Sequence, residues 1–494
     1  MTIAPPSVTA KYEMVVGLEV HVQLKTRTKA FCNCSTAFGA APNVNTCPVC
    51  LALPGALPFL NYRAVELATR AAHALCCTVN RISIFARKNY FYPDLPKGYQ
   101  ISQYDRPLAE RGHAEIGQFA DGSPITIRIT RVHMEEDAGK SIHDRYPTAT
   151  AIDLNRAGVP LIEIVSEPDL RSSRDAGAYL RMLKQIIEYA GVSDANMEEG
   201  SLRVDANISA RRRGETKLGT KTEVKNMNSF SGVERALEAE FARQCALLDR
   251  GERIEQQTML WDGARGEVRP ARTKEGSHDY RYFPEPDLPP LVLESEWIKK
   301  VKDELPELPR DRRARFATEY GLQPHDVEVL TASIHLADYF ESVARAHGDS
   351  KVAANWVMGE VLATLKTSGT YVATLGDLSG RYRVRPADLA ALLGLVRDGT
   401  LSHTSAKRVF AMMVESGDRP EQVADRLGLV QERGDSALGA WLDEVIAENA
   451  AEWERYRSGE RKLQGVLVGA VMKKSKGRAD PRRLSQLLSE RAAG

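Results

Sequence analysis

Residues 153–169 read DLNRAGVPLIEIVSEPD, and their centre places one acidic residue, Glu163, inside the apolar run 161–165. A short apolar run between turn-forming residues predicts a buried strand; here residues 158–160 precede the run and Pro168 follows it. A carboxylate is rarely buried unless a cation, a metal ion or a hydrogen-bond network holds it. Glu163 therefore either faces a solvated side of the strand or points into a functional site.

The composition is that of an ordinary folded protein of 494 residues, with 43% hydrophobic and 27% charged residues and a net charge of +1. A chain of this length predicts several domains. The near-zero net charge excludes binding of nucleic acid through global charge, so a polyanion would have to contact a local basic patch. The N-terminal segment lacks a secretory signal pattern and no apolar run has the length of a membrane span, so we expect a cytoplasmic protein.

Four of the seven cysteines form two close pairs, Cys32 with Cys34 and Cys47 with Cys50. Two such pairs separated by a loop are typical of a tetrahedral zinc site with four thiolate ligands. Free thiols are the alternative, because a reducing compartment disfavours disulfides. We predict a structural zinc ion in the loop 32–50 that orders the loop and takes no part in the chemistry.

Residues 14–24 alternate with period two, which predicts a strand that is apolar on one face and polar on the other. Glu19 and His21 share the polar face. An ordinary solvated face explains this pair when the strand is considered alone.

Residues 125–136 alternate in the same way and end in two consecutive acids, Glu135 and Glu136. Alternation alone does not decide which of the two faces a site. Together with Glu163 and the first strand, these acids supply the oxygen ligands that Mg²⁺ prefers when it bridges a protein to substrate phosphates. The set therefore suits phosphoryl transfer assisted by a metal ion.

Residues 85–100 form an aromatic, basic and turn-rich segment. Arg87, Lys88 and Lys97 are candidate contacts for nucleotide phosphates, and the neighbouring tyrosines could stack on a base or a ribose. A packed loop with solvated cations is the alternative. The sequence contains no Walker loop, protein-kinase motif set or nucleophile elbow, so ATP would bind on a less common fold.

The pattern changes after a proline-rich segment at 278–291, because helical periodicity replaces strand alternation from residue 294 onward. The tail 455–494 contains eleven lysines and arginines against three acidic residues, which gives it a net charge of +8. A solvated helical face explains this charge equally well as a contact with a phosphate backbone. The second interpretation predicts binding of nucleic acid that depends strongly on salt.

The motifs together resemble those of the B subunits of aspartyl/glutamyl-tRNA amidotransferases. In chain order they are VGLEVHVQLKT, RKNYFYPDLPKGYQISQ, RVHMEEDAGKS, the run 152–168, MEEGSLRVDANIS, KTEVKNMNSF and DYRYFPEPDLPPL. The resemblance extends from about residue 14 to the end of the chain.

This resemblance implies an α+β fold in three parts. Residues 1–293 are expected to form an antiparallel-sheet cradle of the glutamine-synthetase type, which carries the ATP and magnesium site. An all-helical domain over 294–415 and a helical tail domain over 416–494, which contacts tRNA, would follow.

The resemblance also implies an activity, that of an ATP-dependent carbon–nitrogen ligase with glutamine as the amido donor. The family phosphorylates the side-chain carboxylate of Glu mischarged on tRNA(Gln) or Asp mischarged on tRNA(Asn). A partner amidase, the glutaminase of the complex, releases ammonia from glutamine for this acyl phosphate, and a small third protein completes the heterotrimer. The expected cofactors are ATP, Mg²⁺ and structural Zn²⁺.

Carried over by position, the magnesium ligands of the family fall on Glu19, His21, Glu136 and Glu163, so the resemblance favours Glu136 over its neighbour. Lys88 matches a lysine that contacts phosphate. The cysteine loop matches the zinc-bearing branch of the family.

Two other functions remain to be considered. A ligase of the glutamine-synthetase type that amidates a small carboxylate would leave the helical, basic C-terminal half without a role. A non-catalytic tRNA-binding scaffold would not require the complete set of acidic residues.

Overall fold

The computed structural model describes residues 6–118, 124–143, 145–271, 280–368, 375, 382–432, 434–475 and 477–493. His278 and Asp279 in the proline-rich segment and Lys476 in the basic tail lie outside these ranges. The chain divides into two compact units, Met1–Pro309 and Arg310–Gly494. The first unit contains the sheets and the second is helical.

Strands dominate the first unit because its apolar residues recur with period two. The strands are β1 Tyr12–Gln23, β2 Thr78–Val79, β3 Ile82–Ser83, β4 Ala86–Asn89, β5 Tyr99–Ser102, β6 Ala109–Gln118, β7 Pro124–Glu136, β8 Lys140–Ile142, β9 Ala151–Asp153, β10 Pro160–Ser166, β11 Leu202–Arg212, β12 Thr222–Lys225, β13 Thr258–Asp262, β14 Glu267–Pro270, β15 Phe283–Pro284 and β16 Leu291–Val292.

Nine of these strands form one sheet in the order β14-β13-β12-β11-β1-β10-β7-β6-β2. Neighbouring strands are antiparallel except β12 and β13, which are parallel. β4 pairs with β5 and with β15 in a smaller sheet. The strand predicted at 161–165 is thus β10, between β1 and β7 at the centre of the large sheet.

Helices cover one face of this sheet. The helices of the first unit are α1 Pro6–Thr9, α2 Tyr62–Ala74, α3 Ser173–Tyr189, α4 Phe230–Asp249 and α5 Ser295–Asp303. Leu180 and Leu183 of α3 share a fully buried core with Leu18, Val20 and Ile164 of the central strands. Because strand side chains alternate, the acidic and basic residues of the same strands project from the opposite, uncovered face.

α5 belongs to the first unit because it packs on α2, where Trp297 Nε1 donates to Tyr62 Oη at 2.5 Å and His73 Nε2 lies 3.1 Å from the carbonyl oxygen of Ile298. The boundary between the two units therefore follows α5. The domain boundaries predicted at 293/294 and 415/416 stay predictions.

The second unit is built from helices alone among its described residues. They are α6 Pro309–Glu319, α7 Pro324–Leu330, α8 Ile334–His347, α9 Ser350–Trp356, a π-helical turn Val357–Val361, α10 Leu362–Ser368, α11 Pro386–Arg397, α12 His403–Ser416, α13 Pro420–Arg426, α14 Asp435–Glu448, α15 Ala450–Arg457, α16 Leu463–Lys474 and α17 Pro481–Ala493.

The helices of the second unit bury two separate hydrophobic cores, one between Phe316 and Leu429 and one between Leu438 and Leu488. None of the helices within the described ranges combines the length and apolar character needed to cross a bilayer. The predicted α+β class with a helical C-terminal region is confirmed.

Candidate functional site

The uncovered face of the large sheet carries a row of titratable residues that is set by strand register. His21 on β1 lies opposite Glu163 on β10, and Glu163 lies opposite His133 on β7. Directly opposed residues in an antiparallel sheet project to the same face. The flanking residues Ile162 and Ile164 project to the helical face and are fully buried. Glu163 therefore does not enter the apolar core of its strand but joins the polar row.

Four of these side chains form a compact group, which we call the carboxylate–histidine cluster: His21, His133, Glu135 and Glu163. His133 Nε2 lies 3.2 Å from Glu135 Oε1 and 3.2 Å from Glu163 Oε2. His21 Nε2 lies 3.5 Å from Glu163 Oε2 and 3.7 Å from Glu135 Oε2. Each carboxylate is thus held between two imidazoles.

Burial and opposite charge act against each other in this cluster. Burial favours neutral histidine, but the Glu163 and Glu135 carboxylates outweigh it and raise the pKa of His133 to about 9. The pKa of His21 is raised for the same reason. Burial likewise opposes the charged form of Glu135, yet Lys88 and His133 lower its pKa to about 2. The pKa of Glu163 lies well below its usual range because His133 and His21 outweigh its burial.

The three consecutive acids 135–137 point in three directions. Glu135 joins the cluster, whereas Glu136 forms an ion pair with Lys97 and accepts a hydrogen bond from the backbone N–H of Ile101 at 3.0 Å. Asp137 pairs with Arg203 at 2.9 Å. The residue two positions after His133 is Glu135, so alternation places Glu135 on the polar face and Glu136 on the opposite one. The structure therefore brings Glu135, and not the predicted Glu136, to His21 and Glu163.

Glu19 lies on the same polar face as His21, one alternation away, and its carboxylate accepts a hydrogen bond from Asn207 Nδ2 at 2.9 Å. Burial, together with the neighbouring Glu163 and Glu223 carboxylates, raises the pKa of Glu19. Among the described residues, His21, Glu135 and Glu163 have possible ligand atoms that all lie within 4.8 Å of one another. Glu19 does not belong to this group. Glu19 is thus a neighbour of the cluster in this conformation.

The cluster has the donors that a divalent cation needs. Two carboxylates balance the charge of such an ion, and ligand atoms within 4.8 Å of one another match a coordination radius of about 2.0 to 2.3 Å with modest adjustment. His21 adds a nitrogen donor, which Mg²⁺ accepts less readily than oxygen and Mn²⁺ or Zn²⁺ accepts more readily. His133 contacts both carboxylates and so can hold them in place around an ion.

The three predicted phosphate contacts lie in different surroundings. Lys88 lines the cleft above the cluster, where burial opposes its charge but the Glu135 carboxylate raises its pKa, and its ammonium lies 5.0 Å from the ring centroid of Tyr280. Arg87 projects from the other side of β4 and forms a two-bond ion pair with Glu285, with both distances 2.8 Å. Of the three, only Lys88 reaches the cluster.

Lys97, the third predicted phosphate contact, lines a separate cavity of about 190 Å³ together with its partner Glu136. Cys32 and Cys50 form part of the same wall. Lys97 therefore lies between the cysteine loop and the back of β7, and not beside the carboxylate–histidine cluster.

The cluster forms the floor of a cleft of about 600 Å³. Cationic side chains, tyrosines and further acids also line it: Lys88, Arg131, Arg203, Lys225, Tyr90, Tyr104, Tyr280, Tyr282, Glu19, Asp137, Asp205 and Glu223. Arg203 pairs with Asp137, and Lys225 pairs with Asp205. The rings of Tyr104 and Tyr282 stack in parallel with their centroids 4.1 Å apart. Carboxylates that can hold a divalent ion, together with Lys88, Arg131 and aromatic rings in the same cleft, suit an anionic substrate that carries a base or a sugar.

The four clustered cysteines come together as predicted. Their sulfur atoms all lie within 4.8 Å of one another, and Cys47 Sγ and Cys50 Sγ are 3.9 Å apart. Four ligands at about 2.3 Å from a tetrahedral zinc ion would be about 3.8 Å apart, so the group fits such an ion. A hydrogen bond from Cys32 lowers the pKa of Cys50 to about 4 against the effect of burial, and the nearby Lys29 ammonium contributes to this.

Sequence reasoning did not single out several residues that hold the cluster together. Gln100 Nε2 and Ser102 Oγ of β5 donate to the two oxygens of Glu135 at 3.1 and 2.7 Å. His133 could have been found, because it shares the period-two face of Glu135. The β5 donors carry no such signal, because β5 reaches β7 only through the tertiary fold.

Comparison with known proteins gives the same result for both units. A family model described as the GatB/GatE catalytic domain matches residues 14–299, and one described as the GatB domain matches residues 338–491. The B subunit of the aspartyl/glutamyl-tRNA(Asn/Gln) amidotransferase of Carboxydothermus hydrogenoformans is 50% identical over 486 residues, which cover 98% of this chain and 99% of that protein. The B subunits of the same name from Syntrophotalea carbinolica and Geobacter sulfurreducens are also 50% identical over 486 residues, which cover 98% of this chain and 100% of each relative.

Proposed function

The chain belongs to the family of aspartyl/glutamyl-tRNA(Asn/Gln) amidotransferase B subunits, and from this premise we propose that it activates mischarged aminoacyl-tRNA for amidation. The observation that carries the proposal is the carboxylate–histidine cluster in a tyrosine-lined cleft that also holds Lys88 and Arg131. The names of its relatives favour this function over amidation of a small carboxylate.

The reaction has two steps. In the first, an oxygen of the side-chain carboxylate of Glu-tRNA(Gln) or Asp-tRNA(Asn) attacks the γ-phosphorus of ATP, and the bond to ADP breaks. In the second, ammonia attacks the carbonyl carbon of the acyl phosphate, and inorganic phosphate leaves. Phosphorylation is needed because a carboxylate is a poor electrophile with no leaving group.

The residues of the cleft have separate roles in this proposal. Glu135, Glu163 and His21 would hold Mg²⁺, with Glu19 as the neighbour closest to joining them in the loaded state. When bound, the ion would neutralise the negative charge that develops on the phosphate oxygens during transfer. Lys88 binds a phosphate oxygen, and His133 keeps the two carboxylates in place by hydrogen bonding to both.

Glu135 replaces Glu136 in this assignment. The resemblance placed a magnesium ligand at Glu136, but Glu136 is 2% exposed on the opposite face and already neutralises Lys97. Moving it to the cluster would require the side chain to cross its own strand. Arg87 and Lys97 form ion pairs with Glu285 and Glu136, so they are not proposed as nucleotide contacts.

We also propose that the four cysteines bind a structural Zn²⁺. Buried Lys29 donates to the carbonyl oxygen of Asn45 at 2.7 Å within the cysteine loop and to that of Leu154 at 3.2 Å. The loop is thereby tied to the segment that precedes β10. A zinc ion in this loop would stabilise its fold without contacting the substrate.

The proposed partners are those that the family resemblance implies. This chain would obtain ammonia from a separate amidase, the glutaminase of the complex, and a small third protein would complete the heterotrimer. The complex would act in the cytoplasm, where aminoacyl-tRNA is used. The basic tail is the proposed contact for the tRNA body. Part of its charge is internally paired, since Lys474 and Arg483 bind acids of α14, so exposed cations such as Lys462 and Lys473 are the better candidates.

The deciding experiment is co-expression with the amidase and the small third protein, followed by assays of ATP cleavage with Glu-tRNA(Gln), Asp-tRNA(Asn) and correctly charged Gln-tRNA(Gln). We expect ATP cleavage with one or both mischarged tRNAs and background cleavage with the correctly charged tRNA. Equal cleavage with free glutamate and without tRNA would instead support the small-carboxylate ligase.

A further inference from the structure

A buried amide in the wall of the cleft has a hydrogen-bond donor that the fold leaves without a partner. Gln103 directly follows β5 and is 1% exposed. Its Oε1 accepts hydrogen bonds from the backbone N–H groups of Leu108 at 3.1 Å and Met134 at 3.0 Å. Its Nε2 has no acceptor among the residues that the structure describes.

The two backbone donors fix the orientation of this amide. If the amide were flipped, its NH₂ group would face two N–H groups, which would be repulsive. Nε2 therefore points away from β7 and the backbone of Leu108. Gln103 lines the cleft beside Tyr104, Arg131 and His133. Two backbone hydrogen bonds thus hold the amide of this cleft-lining residue in one orientation.

An unpartnered buried donor is unfavourable, since leaving such a group unsatisfied destabilises a fold by about 1 to 3 kcal/mol. Nearly all buried polar groups in native proteins are paired, so each exception needs an explanation. A bound ligand that supplies the missing acceptor is one explanation. A purely structural role for Gln103 explains Oε1 but not Nε2.

We propose that Gln103 Nε2 donates a hydrogen bond to an anionic oxygen of the substrate, either of a nucleotide phosphate or of the aminoacyl carboxylate. The cluster carboxylates Glu135 and Glu163 already pair with histidines, whereas Arg131 and Lys88 in the same cleft can attract an anionic acceptor. Gln103 is then a substrate-binding residue in addition to its bonds to the backbone. This inference rests on the proposed function and adds a contact to it.

The test uses two variants in the assembled complex. Gln103→Glu keeps an oxygen for both backbone N–H groups but removes the donor. Gln103→Met removes both the acceptor and the donor at similar volume. Gln103→Glu also adds a negative charge, so the neutral Gln103→Met variant decides between the two roles. If Gln103 only links β5 to β7, Gln103→Met will lose stability but keep the wild-type KM for both substrates.

The proposal predicts that both variants, including the neutral Gln103→Met, raise KM for one substrate by about 10- to 100-fold, as expected for loss of a hydrogen bond to a charged group. The thermal denaturation midpoint of Gln103→Glu should stay closer to that of the wild type than the midpoint of Gln103→Met. A raised KM for ATP assigns the acceptor to the nucleotide, and a raised KM for mischarged tRNA assigns it to the aminoacyl group.

Michaelis constants keep the test decisive if both variants are unstable. Loss of folded protein lowers kcat but leaves KM unchanged, because fewer molecules are active while each binds normally. Unchanged KM values for both substrates in Gln103→Met would overturn the inference, whatever the charged Gln103→Glu variant does. A wild-type complex without tRNA-dependent ATP cleavage would instead overturn the proposed function, independently of Gln103.

Discussion

Glu163→Gln removes one negative charge from the carboxylate–histidine cluster while preserving the size of the side chain. In the wild type, Glu163 Oε2 lies 3.2 Å from His133 Nε2 and 3.5 Å from His21 Nε2. The amide cannot balance a divalent ion as a carboxylate does, and it offers the ion a single weaker oxygen. The change therefore acts on metal binding and on the histidines, with little effect on the apolar face of β10.

The expected loss of activity follows from the number of ligands. The variant retains Glu135 and His21 from the group of three. A metal ion contributes several kcal/mol to stabilising charge in a phosphoryl-transfer transition state. A loss of about 3 to 4 kcal/mol of transition-state stabilisation lowers the rate by about 10²- to 10³-fold. We expect tRNA-dependent ATP cleavage by the complex to fall by that factor.

The same variant should change how stability depends on pH. The pKa of His133 is raised to about 9 from an ordinary value of 6.5, so protonation stabilises the fold by about 3 kcal/mol below pH 6.5 and this contribution is lost as pH rises through 9. Glu163→Gln removes one of the two carboxylates that raise the pKa of His133. About half of the stabilisation that is lost between pH 6.5 and 9 should therefore be absent in the variant. Thermal denaturation between pH 6.5 and 9.5 in magnesium-free buffer measures the difference.

The assay compares the variant with Asp169→Asn in the same complex. Asp169 lies beyond the end of the same strand and pairs with exposed Arg128 at 2.7 Å, away from the cluster. We expect this control to cleave ATP at nearly the wild-type rate. If Glu163→Gln retained more than about a tenth of the wild-type rate, with normal tRNA binding, the metal assignment in this cluster would be incorrect.

Three further predictions test the remaining assignments. Glu135→Gln should reduce ATP cleavage about as much as the Glu163 variant, whereas Glu136→Gln should retain most of it; the reverse order would favour the ligand set implied by sequence resemblance. Cys47→Ser should lower zinc content measured by atomic absorption and reduce the stability of the cysteine loop, and retention of one zinc per chain would contradict the four-thiolate site. Replacing Lys462 and Lys473 together by Ala should weaken tRNA binding and reduce the salt slope of log K by about 2 or less; an unchanged slope would exclude these residues as phosphate contacts.

The sequence was sufficient for the fold class and for part of the site. His21, Glu163 and Lys88 were named as site residues from it, whereas His133 and Glu135 were not. Period-two alternation located β1 and β7, and the short apolar run with Glu163 at its centre located β10 and identified an acid that needed a partner. Cysteine spacing identified the thiolate group in advance. These features are local, since alternation and spacing depend only on residues near each other in the chain.

Strand register, in contrast, could not be read from any single strand. Glu135 and Glu136 are equivalent in the sequence pattern, and a one-residue slip of β7 against β10 would exchange them. The pairing of His133 with Glu163 removes this ambiguity. The family resemblance favoured Glu136, because it transfers ligands by position in the sequence. The strand register turns Glu136 to the opposite face of the sheet.

The sequence by itself therefore determined the main strands, the helical C-terminal region, the cysteine group and the presence of an acid that needs a partner. Strands and helices could be predicted because burial of apolar side chains requires a period of two in strands and of about 3.6 in helices. Only the tertiary structure decided which acid reaches the cluster and that Arg87 and Lys97 are neutralised elsewhere. It also decided that Gln103 Nε2 has no acceptor within the described part of the chain. Each of these depends on partners from distant segments, whose distances and orientations are set by sheet register and packing.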